Sequence, residues 1–240
     1  AGFIGLRAAG TFPNIANLPA FPSQAIAMPP AAPRPAPQPH PAAAPAKAQP
    51  AAARCVDSAI DLASGEPVAV RMYGREKAGH ASPLVVHFHG GAFVSGDLDN
   101  GYTVAHLLEG AGAVVVSVAY PLTPFPQPVD TGYGVLQWVH RHRTKLGGQG
   151  ALVYLAGEEA GGNLAAAVAL MARDQAHTPL AGQILLSPML DPCVGSASQR
   201  RTTGDAVDCK WVQGWRNFLR CPRDAEHPYA VPASAHRLAG

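Results

Sequence analysis

One stretch of this 240-residue chain places a potentially reactive side chain between two glycines. Residues 157–161 read Gly-Glu-Glu-Ala-Gly, after the apolar segment Leu152–Leu155 and before a segment rich in Ala, Leu and Val. A strand that turns sharply into a buried helix, with the pattern G-x-S-x-G at the turn, exposes a nucleophilic serine above a sheet. Here the central residue is Glu159. The chemistry of the turn therefore rests on a carboxylate where that pattern has a hydroxyl.

The elements that must position this turn alternate between strands and helices. Short apolar or alternating runs predict strands, and longer amphipathic or Ala-rich runs predict helices. Residues 63–66 join the first two strands as a hairpin. This order predicts an α/β fold with a mainly parallel sheet covered by helices on both faces. The predicted strands are Val56–Leu62, Pro67–Tyr73, Pro83–His89, Ala113–Ala119, Leu152–Leu155 and Gln183–Ser187, and the predicted helices are Tyr102–Gly110, Val129–Leu146, the segment after the turn to Ala172, and Lys210–Leu219.

Composition excludes several classes of protein. Hydrophobic residues make up 48% and charged residues 14%, with a formal net charge of +2, so nothing suggests binding to nucleic acid. No apolar run reaches the ~18 residues of a membrane span, and the opening residues lack the features of a signal peptide.

The histidine pairs His87/His89 and His140/His142 have no third ligand at a suitable spacing. We therefore predict no metal and no cofactor, and assign these histidines to packing and the surface.

The four cysteines give little information about the compartment. They are Cys55, Cys193, Cys209 and Cys221, and none forms a C-x-x-C pair or a metal-ligand spacing. Buried free thiols are the favoured interpretation, and one disulfide among the last three stays open. The compartment is left open, with the cytoplasm favoured.

Residues 1–54 form a separate compositional block that is rich in proline and alanine. Proline at this density disfavours helices and sheets, which predicts an extended arm or linker. The block also contains sizeable apolar side chains with no local means of burial. It is either a passive linker or an arm that lies across a partner, and the remaining domain is 55–240. The apolar residues are Phe3, Ile4, Leu6, Phe12, Ile15, Leu18 and Phe21.

Several segments resemble the hormone-sensitive-lipase-like branch of the α/β-hydrolases, in that family's own order. HGGAF at 89–93 is similar to the family's oxyanion loop, and 119–130 is similar to its YRLAPE-x-PFPA-x-x-D stretch. GEEAGGNLA at 157–165 is similar to GDSAGGNLA, and 185–191 is similar to the strand and loop after the elbow helix. The resemblance implies an α/β-hydrolase fold and, for intact members, hydrolysis of carboxylic esters.

Two departures separate this chain from the family pattern. Glu159 replaces the serine that attacks the ester carbonyl. The family's acid and histidine follow two further strands, and their equivalents would lie beyond Gly240, which implies a domain shortened at its C-terminus. His227 and His236 precede those positions, so neither is assigned as the base, and His89 belongs to the loop itself. No catalytic residue is therefore predicted to be intact.

The resemblance also suggests a role for Glu159. Backbone N–H groups of Ala160 and of the loop Gly90, Gly91 and Ala92 should point into one small volume that suits an anion. We hypothesise that the Glu159 carboxylate fills this vestigial oxyanion hole. The alternative is a carboxylate that is simply solvated.

These features predict a catalytically inactive hydrolase-like protein that serves as a structural or binding subunit. Without the family's later strands, the apolar strand 183–187 would form a sheet edge with unpaired backbone groups. We therefore predict a protein partner or a homo-oligomer, through this edge and the N-terminal arm. The alternative is a carboxylesterase acting on short-chain esters. Less favoured alternatives are a carboxylate nucleophile of the kind that attacks alkyl halides or epoxides, and a small-molecule receptor.

Overall fold

The computed structural model describes residues 55–74, 80–176, 179–192 and 210–237. The predicted arm, residues 1–54, lies outside the described residues, as do Cys193 and Cys209. Within the described ranges, six strands form one sheet. They are β1 (Cys55–Asp61), β2 (Pro67–Tyr73), β3 (Leu84–Phe88), β4 (Val114–Val118), β5 (Val153–Glu158) and β6 (Gly182–Leu186). The helices are α1 (Tyr102–Gly110), α2 (Gln127–Arg141), α3 (Arg143–Gly147), α4 (Ala160–Asp174), α5 (Lys210–Phe218) and α6 (Pro222–Glu226), followed by the 3-10 turn Pro232–Ser234.

The strand order across the sheet is β1-β2-β4-β3-β5-β6. β1 and β2 form an antiparallel hairpin, and β2 pairs antiparallel with β4. The neighbours from β4 through β3 and β5 to β6 are all parallel. The predicted fold class, a mainly parallel sheet in an α/β arrangement, is therefore confirmed.

Alternation along the central strands supplies two separate cores. Val86 and Val116 face a large cluster that includes the buried side chains of α2 and α4. Their neighbours Val85 and Val115 face the opposite side, where Ala105 of α1 packs against them. Because successive side chains of a strand point to opposite faces, the near-continuous apolar runs of β3 and β4 reflect a sheet covered on both sides.

Some predicted boundaries were wrong. The helix predicted over Val129–Leu146 begins earlier and is divided at His142 into α2 and α3. The strand predicted to end at Leu155 continues to Glu158, which confines the turn to the single residue Glu159. No helix or strand is predicted after Leu219, but the structure has α6 and the 3-10 turn there.

The cysteine prediction needs a correction as well. Cys55 and Cys221 are free thiols, but both are exposed rather than buried. Cys55 is the first residue of an edge strand, and Cys221 lies in the connection between α5 and α6, so neither is enclosed by a second layer. Among the described helices, none is long and apolar enough to cross a membrane.

Strand β6 borders the sheet in the described part of the chain, because its only pairing there is with β5. Ile184 is 37% exposed and Leu186 is 42% exposed. A groove of about 810 Å³ runs beside this strand, between α4 and the 3-10 turn. Its lining is mostly apolar and includes Ala169, Leu170, Leu180, Leu185, Leu190 and Pro232.

Candidate functional site

The turn between β5 and α4 holds Glu159 in an unusual backbone conformation. Its φ is 49° and its ψ is −113°, a combination that a non-glycine residue adopts only when its surroundings enforce it. Its N–H donates to the Leu186 carbonyl at 3.0 Å, and its own carbonyl accepts from Asn163 N–H at 3.1 Å and Met189 N–H at 2.9 Å. The hydrogen bonds therefore fix both peptide groups of Glu159.

The two flanking glycines are required by close packing. A Cβ on Gly157 would come within 2.2 Å of the Gly161 carbonyl oxygen. A Cβ on Gly161 would come within 2.0 Å of the Phe88 carbonyl oxygen. Both contacts are with backbone, which cannot rotate away. The G-x-x-x-G spacing thus lets strand, turn and helix approach one another closely, independently of the central side chain.

The loop after β3 approaches the same turn from the neighbouring strand. Gly91, Ala92 and Phe93 all have positive φ, at 124°, 54° and 58°. Ala92 and Phe93 are buried, and the ring of Phe93 stacks on Phe218 of α5 at 4.0 Å between centroids. Helix α5 presses on the loop at Gly214, where a Cβ would come within 1.8 Å of the Ala92 carbonyl oxygen. Helix α5 therefore packs closely against two residues of this loop.

The Glu159 side chain reaches this loop. The Gly91 N–H donates to Glu159 Oε2 at 3.1 Å. Gly90 lies alongside, since Oε2 is 3.5 Å from the position that a Cβ on Gly90 would take. Ala160 is fully buried as the first residue of α4. The structure thus brings Glu159 together with Gly91, and the carboxylate is half-buried rather than freely solvated.

His89 supports the loop, as the sequence predicted. Its Nδ1 donates to the Gly90 carbonyl at 2.7 Å, and its ring stacks on Tyr120 at 4.3 Å between centroids. The Tyr120 hydroxyl donates to the His89 carbonyl at 2.8 Å. Burial lowers the pKa of His89, although the hydrogen bond to Gly90 favours the charged form. His89 is therefore mainly neutral at pH 7, and it supports the loop through its hydrogen bond to Gly90 and its ring contact with Tyr120.

A second group of polar residues lies beneath the turn, and the sequence reasoning missed it. His87 Nε2 lies 2.8 Å from Glu158 Oε2, and His87 Nδ1 lies 3.0 Å from Ser117 Oγ. His87 and Ser117 are completely buried, on adjacent parallel strands and in register. The available signal was a polar residue on each of two otherwise apolar strands, together with an acid directly before Glu159.

His142 and His227 contact structural neighbours. His142 Nδ1 donates to the Trp138 carbonyl at 2.8 Å, and the His227 ring lies 5.0 Å from those of Phe125 and Tyr229. Within the described ranges, no three His, Cys, Asp or Glu side chains are grouped so that they could hold a metal ion.

Comparisons with known proteins agree with this architecture. A model of the alpha/beta hydrolase fold family matches residues 85–240. The esterase LipI of Mycobacterium tuberculosis is 33% identical over 197 residues, which are 78% of this chain and 61% of LipI. The gibberellin receptor GID1C of Arabidopsis thaliana is 35% identical over 167 residues, 64% of this chain and 47% of the receptor.

A solved structure shows the same likeness in three dimensions. The esterase of Pyrobaculum calidifontis superimposes with a TM-score of 0.66 and 34% sequence identity. The matched region covers 76% of this chain and 62% of the esterase. The chain therefore spans about three fifths of the length of the esterases it matches.

Proposed function

Since the chain belongs to the alpha/beta hydrolase fold family, we propose that it is a hydrolase-derived protein that does not hydrolyse esters and works as a binding or structural subunit. The observation that carries this proposal is the identity and contact of Glu159. It stands at the elbow position of the G-x-S-x-G pattern, and its carboxylate accepts the Gly91 N–H.

The substitution removes the usual reaction at its first step. The family route needs a hydroxyl that loses its proton to a histidine and attacks the ester carbonyl. A carboxylate at that position offers no such hydroxyl. Its Oε2 also uses a backbone donor that would otherwise stabilise negative charge on a reacting carbonyl oxygen. We assign Gly90, Gly91, Ala92 and Ala160 to a vestigial oxyanion hole that Glu159 fills.

A binding role is supported by two further observations. The sheet border at β6 presents Ile184 and Leu186 beside an apolar groove, which is a surface suited to a protein partner or a second copy. The family also includes a relative named as a receptor, GID1C, at 35% identity. In this proposal the partner binds at β6, and residues 1–54 contribute a second contact.

The test is a comparison of ester hydrolysis between the native chain and two variants. The native chain, Glu159→Ala and Glu159→Gln are incubated with a short-chain chromogenic ester. We expect the rate of all three to equal that of buffer. Turnover by the native chain that disappears in Glu159→Ala would overturn the proposal.

A carboxylesterase acting on short-chain esters is the second candidate, because LipI is 33% identical over 78% of the chain. In that case Glu159 would itself have to attack the substrate, or the native protein would have to supply another nucleophile. The two variants separate these cases. Loss of turnover in Glu159→Ala identifies Glu159 as the nucleophile, and retained turnover in both variants indicates another group.

A further inference from the structure

Two acidic side chains lie beside the same loop residue. Glu158 and Glu159 are adjacent in the chain, and both side chains border Gly90. Glu158 Cγ lies 3.1 Å, and Glu159 Oε2 3.5 Å, from the position that a Cβ on Gly90 would take. Only Glu159 is hydrogen-bonded to the amide of Gly91 in the described structure. A further contact must therefore determine which of the two carboxylates accepts the Gly91 N–H, since two negative charges at that amide would repel each other.

His87 lies where it can hold one of these two carboxylates. Its Nε2 lies 2.8 Å from Glu158 Oε2, on the side of Glu158 away from solvent. The imidazole is fully buried, whereas the Glu158 side chain is 18% exposed. A hydrogen bond from a buried, fixed donor to a carboxylate is among the stronger polar contacts in a protein. The contact holds the Glu158 carboxylate at His87, while the Glu159 carboxylate accepts the Gly91 N–H.

Ser117 fixes the orientation of the His87 ring. Its Oγ lies 3.0 Å from His87 Nδ1, and both residues are completely buried at matching positions of β3 and β4. A hydroxyl can donate to a neutral Nδ1 or accept from a protonated one. Because an ionised Glu158 carboxylate can only accept, Nε2 carries the proton in this contact, and the Ser117 hydroxyl can donate to Nδ1. The chain Ser117–His87–Glu158 therefore connects the carboxyl ends of three neighbouring parallel strands.

We infer that His87 is a positioning residue of the elbow: by holding Glu158, it leaves Glu159 as the one carboxylate on the Gly91 amide. This inference rests on the proposed function, because it concerns the site that Glu159 is proposed to fill. It assigns His87 a role that a packing histidine would not have. The role depends on the charge of the neighbouring Glu158, so it can be tested by removing both residues together.

The experiment follows the Gly91 amide in ¹⁵N-labelled full chain by NMR, through its proton shift and its exchange protection. The native chain should show a protected amide, and Glu159→Ala should lose about tenfold in protection because a charge-assisted hydrogen bond is removed. In His87→Ala, the released Glu158 should disturb the site, with a comparable loss. The double variant His87→Ala with Glu158→Ala should recover the native shift and protection.

Conservative variants separate positioning from simple packing. His87→Gln keeps a donor near the Nε2 position, so we expect a native-like Gly91 signal. If His87 only filled space, His87→Ala would remain defective when Glu158 is also removed, and that result would overturn the inference. The inference also fails if His87→Ala leaves the Gly91 signal unchanged. If instead the native chain and Glu159→Ala give the same Gly91 signal, the proposed contact of Glu159 is what fails.

Discussion

The elbow follows the carboxyl end of strand β5, the border strand β6 lies alongside β5, and the two regions differ in how completely they are packed. At the elbow, Gly157 and Gly161 leave no room for a methyl group, and both peptide groups of Glu159 are hydrogen-bonded. At β6, Ile184 and Leu186 are more than one third exposed, next to an open groove. A closely packed region and an open one therefore lie next to each other in this part of the sheet.

This difference shows that the backbone geometry of the elbow does not depend on the chemical group at its centre. The elbow keeps the positive φ and the close glycine contacts although its central residue is glutamate. At the elbow itself, the proposed lack of ester hydrolysis therefore follows from the side chain of Glu159 and not from an altered backbone geometry. The β6 border, in contrast, has a composition suited to another polypeptide and a surface that the described residues leave uncovered.

The largest expected effect comes from adding a methyl group where the elbow is tightest. Gly161→Ala would place a Cβ 2.0 Å from the Phe88 carbonyl oxygen, so we expect a loss of more than about 4 kcal/mol in the free energy of unfolding, or no folded protein. Gly110→Ala is the matched control, because no atom lies within 4 Å of its Cβ position. It should be neutral or stabilising by about 0.5 kcal/mol. Urea denaturation measures the free energy of unfolding of both variants. Equal values for the two variants would contradict the close packing described for the elbow.

The second-largest effect tests helix α5, which packs against the loop after β3. Phe218 is completely buried and stacks on Phe93, so Phe218→Ala should cost about 3–4 kcal/mol. Leu122→Ala, at a residue 43% exposed, should change stability by less than about 1 kcal/mol. Thermal unfolding followed by circular dichroism compares the two. A small loss in Phe218→Ala would mean that α5 does not secure the loop.

A smaller effect on stability, but a clear effect on association, is expected at β6. Ile184→Lys puts a charge on an exposed position of the border strand, so the free energy of unfolding should change by less than about 0.5 kcal/mol. Association measured by sedimentation should nevertheless weaken, because a lysine on a strand edge opposes further pairing. Leu107→Lys, at the 68% exposed residue of α1, is the control and should leave association unchanged. Identical sedimentation of native chain and Ile184→Lys would contradict the assignment of this surface.

The smallest effect is expected at the opposite border of the sheet. Arg71 Nε and Nη2 donate to the two carboxylate oxygens of Asp57 at 2.6 and 2.9 Å, and this pairing lowers the pKa of Asp57. A lowered pKa in the folded state stabilises the fold above the unfolded pKa of about 3.9, and the stabilisation is lost as the pH falls through the lowered value. Asp57→Asn should therefore be slightly less stable than the native chain at pH 7. At a pH below the lowered pKa of Asp57, the two proteins should be equally stable. A difference that persists in strong acid would exclude the ion pair as its cause.

Much of the fold could be predicted from local patterns in the sequence. The hairpin, the buried strands β3 and β4 and helix α1 follow from runs of valine, from alternation and from turn residues, and their observed bounds lie within one residue of those predicted. The end of β5 could not be predicted in this way. Gly157 and Glu158 resemble turn residues, but pairing with β3 and β6 keeps them in the strand.

The candidate site was only partly predictable for the same reason. Glu159 and the glycine loop could be found because their motifs are contiguous in the sequence. The contact of His87 with Ser117 and Glu158 joins positions 30 and 71 residues apart from His87, so it depends on which strands become neighbours. The closing of α5 onto Ala92 and Phe93 likewise depends on tertiary packing, since the sequence of that helix gives no sign of its partner.

The most direct test of the central claim is the intact mass of the full chain after incubation with an excess of an activated short-chain ester or a phosphonate probe for serine hydrolases. Because Glu159 stands where the attacking serine would be, we predict an unchanged mass under conditions in which a serine esterase of the same family is fully modified. A stoichiometric acyl or phosphonyl adduct on the native chain, absent from Glu159→Ala, would contradict the account.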